Sequence, residues 1–379
     1  MRILHAITTL DVGGAEMHLL AQVKGQCARG HSVRVVYFKG RGTLAPDFRT
    51  AGAESVSHAT FASGLVGTLR DELRWAEIVH THLLKADMGV ALLATLAGRR
   101  GGLVSSKHND EQVLRRPLVS RIHGVLGSLP RVTIPLSDHV ARFLAEHGRI
   151  PLARQKRIYY GLDPSPFEAA FLASAESKQE LRSELGIAPD DVVFTCVARF
   201  APQKAHDVLL RAFASARAAR GGEKLRLLLV GDDPFGDGRV RAESLARELA
   251  LEGSVIFAGI RRDVPQILAL SDVFVMCSLW EGLGLVFLEA MATGLPVLAT
   301  RVSAVPEVVR DGETGVLVPA ADANALSAAM GELAADPARR RALGATGRRR
   351  VRAEFGLERM IEETLAVYAG LFSTGSRSR

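Results

Sequence analysis

The chain has 379 residues, 47% hydrophobic and 23% charged, a balance that excludes a disordered chain and suffices for two domains of ordinary size. Its net charge of +7 is uneven: residues 1–165 hold 22 Lys and Arg against 13 Asp and Glu, and the remainder holds 26 against 28. Cys27, Cys196 and Cys277 stand far apart in apolar settings, which excludes a disulfide framework and a thiolate metal site and fits a reducing cytoplasm.

Strand and helix patterns alternate along the chain, as expected of an α/β protein with parallel sheets covered by helices. The start, M-R-I-L-H-A-I-T, predicts a strand over Arg2–Ile7 rather than a signal peptide, because it lacks an apolar core of signal length. A helix over Glu16–Arg29 follows, with Gly30 as its stop. Further strands are predicted at His31–Phe38, Ile78–His80, Leu103–Ser105 and Val132–Pro135. The longest uncharged apolar run, Gly89–Gly98, falls short of the ~20 residues that a bilayer requires, so a soluble or peripheral protein is expected.

Arg115 to Val132 places Leu118, Val119, Ile122, Val125, Leu126 and Leu129 at helical spacing, with Arg115, Arg116, Arg121 and Arg131 flanking or facing away. Two readings stand: a helix packed on the sheet, or a membrane-surface element. Gly161–Glu168, G-L-D-P-S-P-F-E, reads as an interdomain linker, with the boundary near residue 165.

A second series opens near Asp191. Strands are predicted at Val192–Ala198, Leu225–Val230 (ending at Gly231), Ser254–Phe257, Val273–Met276, Pro296–Ala299 and Gly315–Val318. Helices are predicted at Asp207–Arg220, Arg239–Leu251, Asp322–Ala334, Ala338–Glu354 and Leu357–Phe372, before a tail, S-T-G-S-R-S-R, expected to be disordered. The two series share a plan without an obvious sequence repeat.

Several stretches carry chemistry. In L-W-E-G-L-G-L-V-F-L-E, Leu279–Glu289, two glutamates, Glu281 and Glu289, flank glycines at the start of a helix-like run. Free N–H groups at a helix start suit a phosphate, and carboxylates suit hydroxyls. Glu289 lies among apolar residues, where an unpaired charge is costly. Arg199 and Lys204 follow the first strand of the second series, where parallel sheets bind ligands. Gly13 and Gly14 lie between a strand and a helix but do not form G-x-G-x-x-G. His108 follows a strand, and His80 and His82 form H-x-H, which pack a loop or bind a ligand; no third metal ligand stands at a convincing spacing.

G-G-A-E (Gly13–Glu16), H-T-H (His80–His82), S-K-H-N (Ser106–Asn109), A-R-F-A-P-Q-K (Ala198–Lys204), the Glu281–Glu289 stretch and P-E-V-V-R-D-G-E-T-G (Pro306–Gly315) together resemble glycosyltransferase family 4. The resemblance covers nearly the whole chain. It implies a GT-B fold, two Rossmann-like domains facing across a cleft: residues 1–165 on the acceptor side, joined by helix 357–379, and residues 166–356 on the nucleotide-sugar side. It implies transfer of a sugar from a nucleotide diphosphate donor to a hydroxyl acceptor, with retention. Arg199 and Lys204 would hold the diphosphate, with the N–H groups of Gly284 and Leu285. Glu289 would bind the ribose, and Glu281 and His108 would meet the transferred sugar. Gly13, Gly14, Gly231, Ile260 and Gly282 complete the expected donor site, which closure of the two halves would shield from water.

No D-x-D triplet occurs, so metal-independent transfer without a cofactor is expected. Two positions depart from the family: Tyr160 stands where asparagine is common, and Val286 where proline or threonine is frequent. The family's usual work implies envelope or polysaccharide assembly at the inner face of the cell membrane. The basic N-terminal half implies an anionic partner, either a lipid-linked acceptor or the membrane surface. Nucleic acid is not expected, because aromatics are 6% and no binding motif is visible. The alternatives are a GT-B UDP-sugar epimerase and a non-catalytic protein that binds anionic lipid or nucleic acid.

Overall fold

The computed structural model describes residues 1–60, 65–219, 221–233 and 236–373. They form two compact units, Met1–Gly161 with the chain from Leu357 onward, and Leu162–Gly356. The six tail residues 374–379, part of the stretch expected to be disordered, lie outside the described residues.

The first unit runs β1 (Arg2–Thr9), α1 (Gly14–Ala28), β2 (Ser32–Lys39), α2 (Ala45–Thr50), β3 (Ser55–His58), α3 (Leu65–Trp75), β4 (Ile78–His82), α4 (Leu84–Leu96), β5 (Leu103–Lys107), α5 (Pro117–Leu126), β6 (Val132–Pro135) and α6 (Asp138–Glu146). The second begins with α7 (Ser165–Leu172), α8 (Ala175–Glu184), β7 (Val192–Val197), α9 (His206–Ala218), β8 (Leu225–Val230), α10 (Gly238–Glu248), β9 (Val255–Gly259) and α11 (Val264–Ala269). It continues through β10 (Val273–Met276), α12 (Leu285–Ala292), β11 (Val297–Thr300), α13 (Val305–Val308), β12 (Gly315–Val318), α14 (Ala323–Ala335) and α15 (Pro337–Glu354). Then α16 (Leu357–Ser373) returns to the first unit.

Every strand pairing is parallel. The sheet orders are β3-β2-β1-β4-β5-β6 and β9-β8-β7-β10-β11-β12, the same doubly wound order twice. This is the α/β GT-B architecture that the sequence implied. Such strands are covered on both faces, so they read as apolar runs: Ile3, Leu4, Ala6 and Ile7 are buried, as are Val273–Met276.

Alternation along β1 divides the first core. Ile3 and Ile7 pack with Leu19 and Val23 of α1 and Ile361 and Tyr368 of α16, while Leu4 and Ala6 pack with Val90 and Ala94 of α4. The strand β3 was not legible, because S-V-S-H offers a single apolar residue at a sheet edge. The segment read as a linker holds the break between the units, at Gly161 and Leu162 and not near residue 165. Its second half is the start of α7, and Leu162 N–H already donates to Phe355 C=O at 2.9 Å within the second unit. Proline in the first turn of a helix loses no bond that the helix needs, so Pro164 and Pro166 mark a start there and not a break.

Candidate active site

A doubly wound sheet opens a crevice at the carboxyl ends of the two strands where the winding reverses. In the second unit those strands are β7 and β10, and the loops after them meet. Lys204 Nζ and Glu281 Oε1 form an ion pair across the two loops, and Ser278 Oγ donates to the same carboxylate oxygen at 2.8 Å. Leu279 N–H donates to Gln203 C=O at 2.8 Å, and Gln203 Nε2 donates to Trp280 C=O at 2.6 Å. Ala205, beside Lys204, is left-handed at φ +47°, a conformation that costs a non-glycine residue on the order of 1 kcal/mol. Its carbonyl accepts Leu209 N–H and the Cys277 thiol, each at 3.2 Å. Arg199 on the same loop is exposed, with no carboxylate partner among the described residues.

The helix α12 starts from Gly284, at φ +81°, where a Cβ would lie 2.6 Å from the Phe287 ring. Only glycine fits there; the Phe287 N–H donates to Gly284 C=O at 3.0 Å, and the N–H groups of Leu285 and Val286 have no intrahelical acceptor. Gly282 is buried on the loop before the helix. One turn into the helix, burial pushes the Glu289 carboxyl up to about 7, and no donor among the described residues meets it. Gly231 follows β8, where a Cβ would lie 2.0 Å from Ala198 C=O. Ile260 follows β9 and is 65% exposed.

In the first unit the corresponding strands are β1 and β4. Gly13 is the extended N-cap of α1, and a Cβ on it would lie 2.5 Å from Glu16 Oε2. The other oxygen of the buried Glu16 accepts from Thr9 Oγ1 at 2.5 Å. A Cβ on Gly14 would meet nothing, so packing does not require glycine there.

His80 and His82 lie within β4, fully buried, and not on a loop. The sheet sets His5 of β1 beside them, a third histidine that spacing in the sequence did not reveal. The ligand atoms of the three approach within 4.8 Å, yet all six ring nitrogens are already hydrogen bonded. His108 is buried too, sharing 3.0 Å hydrogen bonds with His82 Nδ1 through Nε2 and with the Tyr160 hydroxyl through Nδ1. Burial, with the Lys107 charge beside it, depresses its pKa to about 3. Lys107 pairs with the buried Asp87. Burial opposes ionisation of that carboxyl, but the Lys107 charge and hydrogen bonds outweigh it and hold the group below its ordinary value. His18 of α1 was not singled out in the sequence. It is buried, its ring lies 4.3 Å from that of Tyr160 and 5.5 Å from that of His108, and its Nδ1 has no hydrogen-bond partner among the described residues.

The helix α5 turns its polar side inward. Ser120 and His123 are buried, whereas Leu118, Ile122 and Val125 are 68%, 45% and 67% exposed, with Arg115, Arg116 and Arg121 exposed around them. Among the described residues no helix is long and apolar enough to cross a membrane. All three cysteines are free; Cys196 and Cys277 are buried and Cys27 is half-buried.

Residues 12–166 match the family model described as Glycosyltransferase Family 4, and residues 177–350 match that described as Glycosyl transferases group 1. The GDP-mannose-dependent alpha-(1-6)-phosphatidylinositol monomannoside mannosyltransferase of Mycolicibacterium smegmatis is 31% identical over 354 residues, 89% of each chain. The D-inositol 3-phosphate glycosyltransferase of Rhodococcus opacus is 34% identical over 310 residues, 74% of this chain and 65% of that protein. Among solved structures, Anabaena Alr3699/HepE in complex with UDP and glucose superposes with a TM-score of 0.88 at 22% identity, covering 98% of this chain and all of that one.

Proposed function

This chain belongs to glycosyltransferase family 4, and on that premise we propose that it moves a sugar, with retention, from a nucleotide diphosphate donor to a hydroxyl of a lipid-linked acceptor. The observation that carries the donor side is the Glu289 carboxyl, half-buried in an apolar run one turn into α12, raised in pKa and met by no donor among the described residues. Two ribose hydroxyls would supply what it lacks. Lys204, Arg199 and the first N–H groups of α12 would meet the diphosphate, at about 1.5–3 kcal/mol for each charge-assisted hydrogen bond. Glu281, held by Lys204 and Ser278, would take the donor sugar's hydroxyls.

In the reaction the acceptor oxygen bonds to the anomeric carbon on the face that the phosphate leaves. The bond from that carbon to the phosphate oxygen breaks, and the acceptor proton passes to that oxygen. Positive charge at Lys204 and Arg199 and the helix start would offset the charge on the departing diphosphate, so no metal ion or further cofactor is required. His108, with both ring nitrogens engaged, would touch the sugar without transferring a proton.

The acceptor side rests on the first unit's positive charge and on α5, whose exposed apolar row ringed by arginine suits an anionic membrane surface at the cytoplasmic face. The two relatives described above are named for transfer to inositol-containing acceptors, one of them a phosphatidylinositol mannoside. The named relatives are transferases, which sets the epimerase reading aside. The test is a thermal-shift panel of UDP-, GDP- and ADP-sugars, because the mannosyltransferase is named for GDP-mannose and the fold neighbour holds UDP. At 100 times Kd the right donor adds about 2.7 kcal/mol, several degrees in the midpoint. A panel in which no sugar nucleotide moves the transition would refute the proposal.

A further inference from the structure

The buried polar groups of the first unit join end to end. The Tyr160 hydroxyl meets His108 Nδ1 at 3.0 Å, His108 Nε2 meets His82 Nδ1 at 3.0 Å, and His82 Nε2 meets His5 Nδ1 at 3.0 Å. His5 Nε2 meets Gln26 Oε1 at 2.9 Å, and Gln26 Nε2 reaches the Tyr368 hydroxyl at 3.5 Å. That hydroxyl meets His80 Nδ1 at 2.6 Å, and His80 Nε2 meets Ser106 Oγ at 2.8 Å.

A neutral imidazole has one N–H and one lone pair, so each ring in such a chain must donate on one side and accept on the other. One end therefore fixes all the rest. The Gln26 amide oxygen faces His5 and can only accept, which puts the proton of His5 on Nε2 and leaves Nδ1 to accept from His82. The same logic runs outward: His82 carries Nε2–H, His108 carries Nε2–H, and the Tyr160 hydroxyl donates to His108 Nδ1. It also runs inward: the Gln26 amide N–H donates to Tyr368, Tyr368 to His80 Nδ1, and His80 Nε2–H to Ser106. Every bond points the same way, from Tyr160 to Ser106. The nitrogens of His5, His80 and His82 that would bind a metal ion are all engaged in this chain.

We infer that Tyr160 is a positioning residue that anchors the His108 ring for sugar transfer, while Gln26 at the other end of the histidine chain fixes the tautomer of that ring. This rests on the transferase reading for its kinetic consequence and not for its chemistry. Tyr160 occupies the position where asparagine is common in the family, and its ring also packs on that of His18.

The direct test is nitrogen NMR of the imidazoles in the intact protein. Proton on Nε2 and lone pair on Nδ1 are expected for His5, His80, His82 and His108. A proton on Nδ1 of His108 would reverse the chain and overturn the inference. In Tyr160→Phe, which keeps the ring and removes the donor, Gln26 still sets the tautomers, so the His108 proton should stay on Nε2 while its Nδ1 loses its partner and the ring its second anchor. The kcat for transfer should fall about tenfold, the worth of one hydrogen bond, with donor KM within about twofold. In Gln26→Met, three bonds away, His108 should become a mixture of tautomers; a merely local packing role for Gln26 would leave it unmoved. An unchanged His108 tautomer in Gln26→Met, or an unchanged kcat in Tyr160→Phe, sinks the inference. Wild-type protein that transfers from no sugar nucleotide, with the tautomers as assigned, would sink the functional reading alone.

Discussion

Glu289 gives the proposed donor site a dependence on pH. A carboxyl with a pKa of about 7 is nine-tenths neutral at pH 6 and mostly ionised at pH 8. If Glu289 takes the two ribose hydroxyls as proposed, its ionised form, with both oxygens free to accept, binds them more strongly than the neutral form, and donor binding is linked to proton loss. Donor Kd, measured by calorimetry, should therefore weaken about tenfold from pH 8 to pH 6, and Glu289→Gln should bind weakly at both. A Kd that stays level across that range in the native protein would remove Glu289 from the donor site. At this scale the motifs were legible: Lys204 and Glu281, 77 positions apart, do meet. The first unit's chain was not legible, because it is made by strand register. His5 reads as one polar residue in an apolar strand until β4 lies beside it. Gln26 and Tyr368 join only because α1 and α16 cover that face. A histidine at an alternating position of a buried strand was the available signal.

Periodicity predicted α5 as an amphipathic helix, but it says which side is apolar and not which side is covered. Neighbours decide that, and here Ser120 donates to His147 C=O and His123 Nδ1 bonds to Gly148 C=O, tying the polar side down. The apolar row costs the fold little to change, which separates its proposed surface role from stability. Leu118→Asp with Val125→Asp should leave the thermal midpoint within about 2 °C, because exposed substitutions usually stay within ±0.5 kcal/mol. The same variant should lose co-sedimentation with vesicles rich in anionic lipid while keeping donor binding. Equal sedimentation of variant and native protein would show that α5 does not hold the surface. Short elements were the hardest to read: β3 lacks apolar alternation, and α7 hides in prolines that also suit a loop.

Across the molecule, the two units have the same strand order although no repeat is visible in the residues. Strand order is set by which covered faces pack together, and a local pattern does not record it. The units also differ in charge chemistry. Burial holds His5, His18, His80, His82 and His108 neutral, with His5 at about 4 and His108 at about 3. Once unfolded these groups take up protons near pH 6.5. The unfolded state thus binds more protons, and the stability that neutral burial gives is complete above pH 6.5 and lost as pH falls towards 4. The second unit has one histidine of this kind, His206, at about 4, and Glu289 acts in the opposite sense. Calorimetry from pH 7.5 to pH 5 should show the transition of the first unit falling well ahead of the second. Transitions that move together would contradict this account.

The return of α16 to the first unit has a consequence for how the protein is made. Tyr368 leaves the ribosome only after all of the second unit, yet it supplies the hydroxyl that His80, Gln22 and Gln26 share in the first. Until then those groups face an uncovered sheet, and closing the buried chain is impossible. The second unit, continuous from Leu162 to Gly356, can fold during synthesis, whereas the first must wait half-built for its last helix. Translation order thus reverses the usual sequence, in which the part made first is finished first.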